Sequence, residues 1–463
     1  MSESAPFKLH PTQIAAIEGC LGILKSKNGD REAILAGAAG TGKSTCAKAI
    51  AKAWGGKVIY LAPTGKAACR LTETSGYQAK TIHSAIFGQV EEEKVKDEVT
   101  KKTTSSKLNF NDLHPPEGAD SSTLIIVDES SMIGIKLATQ LREVSAECGA
   151  ALLFMGDHEQ LEPVGDKPGV NLNGTPFKLT KVYRQKEGSP ALDLATRIRE
   201  GGVNDAVTVM RNFERYGENC NVLDTTGTKD VASWFVNQLN EYPISEVTAL
   251  TLSNKTRQWV NNDIRKKLGF KYKICIGDRL LCGFNCGTVF NGEVGTVVKV
   301  FTDKKLSAFI GSQVCRAEIL FDGRETPNIV IVAVDLLSGV YTSSGVSENQ
   351  ANNDFWAKII GTDDDAENKA ISIENEQFFN SNEGIQLGIT AETVKQWRNE
   401  LKHRAMRLTY GYCLTVHKAQ GSQWKAVGVT IDAGSVTYGG KRWFYTAITR
   451  VVEKLTLLNY KVL

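Results

Sequence analysis

The chain has 463 residues, of which 41% are hydrophobic and 23% are charged, and its 55 basic and 52 acidic residues leave a formal net charge of +3. This composition is ordinary for a folded globular protein and excludes disorder as the default, and at roughly 100–200 residues per domain the length predicts two to four domains. The small charge excess does not by itself argue for a nucleic-acid partner.

The ten cysteines include no CxxC pair and no zinc-like cluster, which favours free thiols in a reducing compartment over a disulfide framework. The N-terminus lacks a signal-peptide pattern, and no apolar stretch approaches the ~18 residues of a membrane span. We therefore expect a cytoplasmic protein with no membrane partner.

Apolar residues at helical spacing predict a first helix over residues 10–27. Apolar runs that alternate with helices then predict strands at residues 33–36, 58–61, 123–127 and 151–155. Such alternation is typical of a parallel sheet covered by helices on both faces, so we predict an α/β fold.

The second half of the chain repeats this alternation from about residue 220, with a predicted strand at 247–252 and a predicted helix at 255–267. Residues 277–335 carry β-type patterns with glycine turns, which are typical of a small antiparallel barrel. Two polar stretches, residues 88–122 and 338–400, are predicted to be insertions, and the second to be partly helical.

Residues 37–44 match the phosphate-binding P-loop pattern in full, with Gly37, Gly42, Lys43 and Ser44 at its defining positions. The pattern lies between a predicted strand and a predicted helix. Glycines let backbone N–H groups wrap the phosphates, the lysine supplies a positive charge, and the serine supplies a hydroxyl to Mg²⁺. The sequence therefore predicts ATP and Mg²⁺ as ligands, with further nucleotide contacts from Ala38, Ala39, Gly40, Thr41 and Thr45.

Two carboxylates come directly after the apolar strand at 123–127, where ligands bind in open α/β sheets. Asp128 has the chemistry to hold Mg²⁺, and Glu129 has the chemistry to orient or activate the attacking water. Gln160 comes after the next strand and is a candidate sensor of the γ-phosphate.

Over nearly the whole chain, and in the same order, these segments resemble the motifs of superfamily 1 helicases. The resemblance is most specific to the Dda-like and RecD-like branch, through residues 81–84, the small barrel and the short insertion before the Asp128 strand. It implies two RecA-like P-loop NTPase domains, formed by residues 1–85 with 123–215 and by residues 216–285 with 408–463. Residues 86–122 would be a pin-like insertion, and residues 286–407 the barrel with its polar insertion.

The resemblance also implies roles for single residues. Gln13 would recognise adenine, Gly421 would lie at the nucleotide, and Arg184 and Arg450 would be arginine fingers that complete an ATP site between two domains. The implied strand contacts are Pro63, Thr64, Lys66, Thr81, His83, Ser253, Asn254, Thr415, His417 and Lys418. Phe110 would either stand on a strand-separating pin or anchor the insertion.

The implied activity is ATP-dependent DNA unwinding by a monomer that moves 5′→3′ on single-stranded DNA. Single-stranded and forked DNA would be its partners, together with single-strand-binding or replication proteins, in a host cytoplasm if a phage encodes it. The sequence leaves open an RNA track and an ATP-gated switch that never translocates. A small-molecule kinase is disfavoured, because it has no use for a second α/β region.

Overall fold

The computed structural model describes residues 9–26, 29–87, 91–96, 103–109, 113–163, 165–181, 190–200, 220–284, 286, 289–338, 355, 386–431 and 440–460. The chain divides into two compact units, Met1–Glu200 and Gly201–Leu463. In the described residues, no helix is long and apolar enough to cross a membrane.

The first unit is built on a six-stranded parallel sheet. Its strands are β1 (Glu32–Gly37), β2 (Val58–Ala62), β3 (Ala79–Thr81), β6 (Leu124–Val127), β7 (Ala151–Gly156) and β8 (Lys178–Leu179). They lie in the order β3-β2-β6-β7-β1-β8. The helices are α1 (Pro11–Leu24), α2 (Lys43–Trp54), α3 (Gly65–Ser75), α4 (Ile82–Ile86), α5 (Ile135–Cys148) and α6 (Pro190–Arg199). Apolar side chains are buried on both faces of this sheet, as predicted.

The predicted insertion at 88–122 contains a two-stranded antiparallel hairpin, β4 (Glu91–Lys96) and β5 (Thr103–Asn109). Phe110 and the other residues between 109 and 113 lie outside the described residues.

The second unit contains a five-stranded parallel sheet. Its strands are β9 (Cys220–Thr225), β10 (Val247–Thr251), β17 (Cys413–Thr415), β18 (Trp424–Ile431) and β19 (Val451–Tyr460). They lie in the order β17-β10-β18-β19-β9. The associated helices are α7 (Thr228–Gln238), α8 (Asn254–Lys267), α11 (Val416–Ala419) and α12 (Gly440–Ile448).

A second, mostly antiparallel sheet of six strands interrupts this unit. Its strands are β11 (Arg279–Cys282), β12 (Val294–Thr302), β13 (Val314–Phe321), β14 (Asn328–Ala333), β15 (Ala405–Met406) and β16 (Leu408–Tyr410). They lie in the order β15-β14-β13-β12-β11-β16. Helix α9 (Lys304–Ile310) and helix α10 (Ala391–Arg404) pack on this sheet. The sheet extends past the predicted bounds 286–407 on both sides, because β11 and β16 pair with each other.

The two parallel sheets share one topology when β8 is set aside. In each unit the strands, taken in chain order, occupy the same positions across the sheet, so that β9, β10, β17, β18 and β19 correspond to β1, β2, β3, β6 and β7. The chain therefore repeats one α/β arrangement, and the second copy carries the antiparallel sheet between its second and third strands.

Buried polar groups fix helix α8 against both sheets of the second unit. The amide oxygen of Asn261 accepts hydrogen bonds from the backbone N–H groups of Tyr412 and Cys413, each at 2.9 Å. The Arg265 guanidinium donates to both oxygens of Asp278 at 2.7 and 2.8 Å, and the Tyr412 hydroxyl donates to the same carboxylate at 2.8 Å. These buried groups satisfy one another, so the junction between the sheets holds a defined geometry.

Candidate nucleotide site and strand-contact residues

The phosphate loop connects β1 to α2, as predicted. Gly40 and Gly42 have φ angles of +82° and +86°, a left-handed conformation that favours glycine. The Lys43 ammonium donates to the carbonyl oxygens of Gly37 and Ala38 at 2.7 and 3.1 Å. The loop therefore curls around Lys43, the residue that is predicted to bind the phosphates.

Gln13 lies directly against this loop. Its amide nitrogen donates to Thr41 O at 3.2 Å, and a Cβ atom at Gly42 would lie 2.4 Å from the same nitrogen. Its amide oxygen accepts from the backbone N–H of His10 at 3.0 Å, which closes a capping box at the start of α1. The structure thus brings Gln13 to the P-loop although 28 residues separate it from Thr41.

Asp128 and Glu129 come directly after β6, the strand next to β2 and β7 in the sheet. Burial and the neighbouring Glu129 carboxylate raise the pKa of Asp128 to about 6, while Lys43 opposes the shift. The Asp128 carboxylate also accepts a hydrogen bond from the Glu129 backbone N–H at 2.9 Å. A partly buried carboxylate close to the P-loop lysine has the chemistry to hold a divalent cation, the role predicted for Asp128.

Glu129 has φ +52° and ψ +40°, and it is the one non-glycine residue with positive φ in the described part of the chain. This left-handed conformation is strained by about 1–2 kcal/mol for a residue with a Cβ atom. Strain of this kind concentrates at functional sites, because the surrounding structure must hold it. The backbone therefore marks the residue that the sequence predicts to orient water.

Gln160 is buried after β7, and its amide nitrogen lies 3.5 Å from the Asp157 carboxylate. Its amide oxygen is also buried and has no hydrogen-bond partner among the described residues. An unsatisfied buried oxygen points to a missing donor such as a water molecule or a ligand. This observation, with the left-handed glycines and the Asp128 carboxylate, shows that the residues fit a nucleotide with its Mg²⁺.

Arg70 is a basic residue near Asp128 that the sequence did not predict to belong to the site. It lies on α3, and its charge lowers the pKa of Asp128 against the larger effect of burial. No motif position identifies Arg70, and only the packing of α3 beside β2 brings it to the carboxylate.

Four predicted strand-contact hydroxyls share one structural position. Each stands at the carboxyl end of a parallel strand and caps the helix that comes next; they are Thr64 after β2, Thr81 in β3, Ser253 after β10 and Thr415 in β17. In the first unit Thr81 is the register partner of Ala62, and in the second unit Thr415 is the partner of Thr251. The capping hydroxyls therefore lie in neighbouring pairs at the same edge of each sheet.

The other strand-contact candidates accompany these caps. Pro63 precedes Thr64, Lys66 lies in the first turn of α3, and Asn254 accepts a hydrogen bond from the Arg257 guanidinium at 3.3 Å. His83 in α4 stacks on Phe87 with ring centroids 5.7 Å apart.

The two candidate histidines are both partly buried. Burial lowers the pKa of His83 and of His417, so both rings favour the neutral form. Neutral rings are suited to stacking on bases. Lys418 closes the α11 turn, where its N–H donates to the Thr415 hydroxyl at 3.4 Å.

Arg450 is buried in the second unit. Its guanidinium donates to Thr446 O at 3.0 Å, to the Thr449 hydroxyl at 3.1 Å and to Ser422 O at 3.4 Å. Ser422 is next to Gly421, which has φ +75°. The structure therefore brings together the two late segments that the sequence predicts to act on nucleotide. Arg184 lies outside the described residues.

Two protein-family models and several known proteins match this chain. Residues 8–218 match the family described as AAA domain, and residues 410–458 match the UvrD-like helicase C-terminal domain. The chain is 26% identical over 443 residues to the ATP-dependent RecD2 DNA helicase of Deinococcus radiodurans, an alignment that spans 93% of this chain and 47% of that protein. It is 26% identical over 428 residues to the ATP-dependent DNA helicase dda of Enterobacteria phage T4, spanning 83% of this chain and 84% of that protein.

The chain thus spans about half the length of the Deinococcus relative and most of the phage relative. Among solved structures it is similar to Bacteroides Pif1 bound to ssDNA, with a TM-score of 0.47 and 16% identity over 96% of this chain and 91% of that one. The two matched domains together cover more than half of the chain, and the relatives align across most of it. The chain is therefore similar, along most of its length, to the RecD2 and Dda helicases, in keeping with the resemblance to superfamily 1.

Proposed function

We propose that the chain is an ATP-dependent DNA helicase that translocates 5′→3′ on single-stranded DNA and separates duplex strands. The observation that carries this proposal is the repeated pair of capping hydroxyls at the strand ends of both sheets, with a phosphate loop in one sheet alone among the described residues. A protein that only binds or hydrolyses nucleotide does not need two such edges.

The chemistry assigned to the first unit comes from its geometry. Backbone N–H groups of residues 37–44 and the Lys43 ammonium would bind the phosphates, while Ser44 and Asp128 would hold Mg²⁺. When bound, Mg²⁺ supplies positive charge to the phosphate oxygens as negative charge develops on them. Glu129 would orient and deprotonate the attacking water, with Gln160 as its second partner.

Arg450 would add positive charge to the transition state, a contribution that in related P-loop enzymes amounts to about 10³–10⁵ in rate. Arg450 belongs to the second unit and the P-loop to the first, so turnover that depends on Arg450 would require both units. Arg184 stays a prediction for the other arginine finger, and Phe110 stays a prediction for either a strand-separating pin or an anchor of the insertion.

The strand-contact hydroxyls would bind phosphates without reading sequence. Backbone-directed contacts suit a protein that must move along any strand, and neutral His83 and His417 would add base stacking. If ATP binding and hydrolysis change the grip of the two units in turn, each cycle would advance the protein along its strand.

The test uses two DNA duplexes, one with only a 5′ single-stranded tail and one with only a 3′ tail, incubated with ATP and Mg²⁺. We expect strand separation from the 5′ tail alone. Separation from the 3′ tail alone would support a translocating helicase but would show that it moves 3′→5′. No separation on either substrate, with ATP turnover intact, would refute the helicase proposal in favour of an RNA track or a non-translocating switch.

A further inference from the structure

A hairpin of the antiparallel sheet lies next to one of the predicted strand contacts. The chain leaves the sheet after Cys282 and returns to it at Glu293, where Gly292 N donates to Cys282 O and Cys282 N donates to Glu293 O, both at 2.8 Å; the described residues between these points are 283, 284, 286 and 289–292. Cys286 and Val289 pair across the hairpin. The loop is therefore closed at its base by the ladder of the sheet.

An ion pair fixes the returning arm of this hairpin. Glu293 is buried, its carboxylate accepts from the Phe290 backbone N–H at 3.0 Å, and the Arg324 guanidinium donates to it at 2.9–3.1 Å. Because both partners are held by further protein contacts, the turn at residues 290–293 has a defined shape.

That turn lies close to the segment that is predicted to bind the strand. Gly292 has φ +94°, and a Cβ atom built there would lie 4.0 Å from Lys418 O. Lys418 belongs to helix α11, whose cap is Thr415. A side chain at position 292 would thus reach the Lys418 backbone, so the base of the hairpin lies close to a predicted strand-contact residue, and exposed Asn291 precedes this point.

An aromatic ring stands at the other arm of the hairpin base. Phe284 is 39% exposed, and the Arg407 guanidinium lies 4.3 Å from its ring centroid. Gly283 N donates to Arg407 O at 2.8 Å, which fixes the two residues side by side. Phe284 lies two residues, or roughly 7 Å of chain at most, beyond Cys282, whose carbonyl oxygen accepts the hydrogen bond from Gly292 N.

We propose that this hairpin is a further strand-binding element, in which Phe284 and Arg407 stack on a base of the single strand held by residues 415–418. The chemistry is a flat apolar ring beside a planar cation, a combination that accepts any base and an anionic backbone. This inference rests on the proposed function, because it extends the same strand path onto the antiparallel sheet.

The same sheet offers a matched control. Phe301 is 38% exposed, and the Lys299 ammonium lies 4.6 Å from its ring centroid, so this pair has nearly the same exposure and cation–ring geometry. Phe301 stands near the far end of β12, roughly 20–25 Å along the strand from Val294. It shares the chemistry of Phe284 without the neighbouring strand-contact segment.

The experiment measures the Kd of full-length protein for a fluorescent oligothymidylate by anisotropy. We expect Phe284→Ala and Arg407→Ala to weaken binding about tenfold or more, Phe284→Trp to bind like wild type, and Phe301→Ala to stay within about twofold of it. Phe284→Leu, which keeps apolar volume but lacks the ring, should weaken binding like Phe284→Ala even if the alanine variant is unstable.

Two outcomes separate this inference from the proposed function. If the wild type binds the oligothymidylate and Phe284→Leu has the same Kd as Phe301→Ala, the hairpin site is overturned. The proposed function would then still stand. No oligothymidylate binding by the wild type, and no stimulation of its ATP turnover by the strand, would overturn the proposed function and this inference with it.

Discussion

The two parallel sheets have the same strand order but differ in the loops attached to their corresponding strands. After β1 the first unit has the glycine-rich loop with left-handed Gly40 and Gly42. After β9 the second unit has a short turn in which the Asp230 carboxylate accepts from Thr226 N at 2.7 Å and from the Thr226 hydroxyl at 2.9 Å. In the second unit a carboxylate of the protein accepts the backbone N–H after the first strand, whereas the first unit has the P-loop pattern at the corresponding place.

The strand-end caps, in contrast, are alike in both units. Thr64 and Thr81 in the first unit correspond to Ser253 and Thr415 in the second. The comparison suggests a division of labour in which both units hold the strand and only the first holds the phosphates. Substitutions in each unit can test that division, and the largest effect is expected at the phosphate loop.

Lys43→Ala should reduce ATP turnover to background, at least about 100-fold, because the positive charge at the phosphates is lost. Single-strand affinity should stay within about twofold of wild type, since the strand contacts lie elsewhere. Steady-state ATPase assays and oligonucleotide anisotropy measure the two effects. Lys48→Ala, an exposed lysine on the same helix, is the control, and loss of strand binding in Lys43→Ala would show that the two sites are not separate.

Arg450→Ala should reduce turnover about 10³-fold with little change in nucleotide affinity, because we propose that its charge acts in the transition state. The measurements are strand-stimulated ATPase and the Kd for fluorescent ATP. Arg404→Ala, which removes an exposed arginine on α10 paired with Glu400, is the control. Near-normal turnover in Arg450→Ala would confine the nucleotide chemistry to the first unit.

Glu129→Gly and Glu129→Ala should both lose turnover by about 100-fold or more, because both remove the carboxylate that we propose orients the attacking water. Their stabilities should differ, since glycine adopts φ +52° without the Cβ strain that alanine retains. We expect the glycine variant to be about 1 kcal/mol more stable, a rise of roughly 2–4 °C in Tm. Equal melting temperatures in calorimetry would show that the left-handed backbone at this position stores no strain.

Thr81→Val and Thr415→Val should each weaken oligothymidylate binding by about three- to tenfold, the loss of one hydrogen bond. Each should also lower stability by about 1 kcal/mol through the lost helix cap. Thr390→Val is the matched control, because Thr390 caps α10 with the same geometry but stands at no strand of a parallel sheet. If all three variants changed strand affinity equally, the caps would act through helix stability and not through contact with the strand.

Much of the nucleotide site could be predicted from the sequence because its chemistry is local. The P-loop, Asp128 and Glu129 lie at strand ends that the apolar pattern marks, and the structure has strands at those positions. The left-handed conformation of Glu129 could not be predicted, because no sequence rule assigns positive φ to a glutamate inside an acidic pair.

Other features depend on pairing between distant segments. The resemblance assigns residues 408–410 to the second RecA-like domain, yet β16 belongs to the antiparallel sheet through its pairing with β11. Asn261 shows nothing unusual on its own helix, and its role comes from Tyr412 and Cys413, about 150 residues away. Such register choices are made by tertiary contacts, which local patterns do not record.

The antiparallel sheet inside the second copy has a consequence for how the chain folds. In the first unit Tyr60 of β2 pairs with Ala79 of β3, about 20 residues later in the chain. In the second unit Thr248 of β10 donates a hydrogen bond to Tyr412, which precedes β17 and is 164 residues away. The chain entropy lost on closing the second loop is larger, although it grows only with the logarithm of loop length. We expect the first unit to fold earlier during synthesis. We expect β10 and β17 of the second parallel sheet to pair only after the antiparallel sheet between them in the chain has folded.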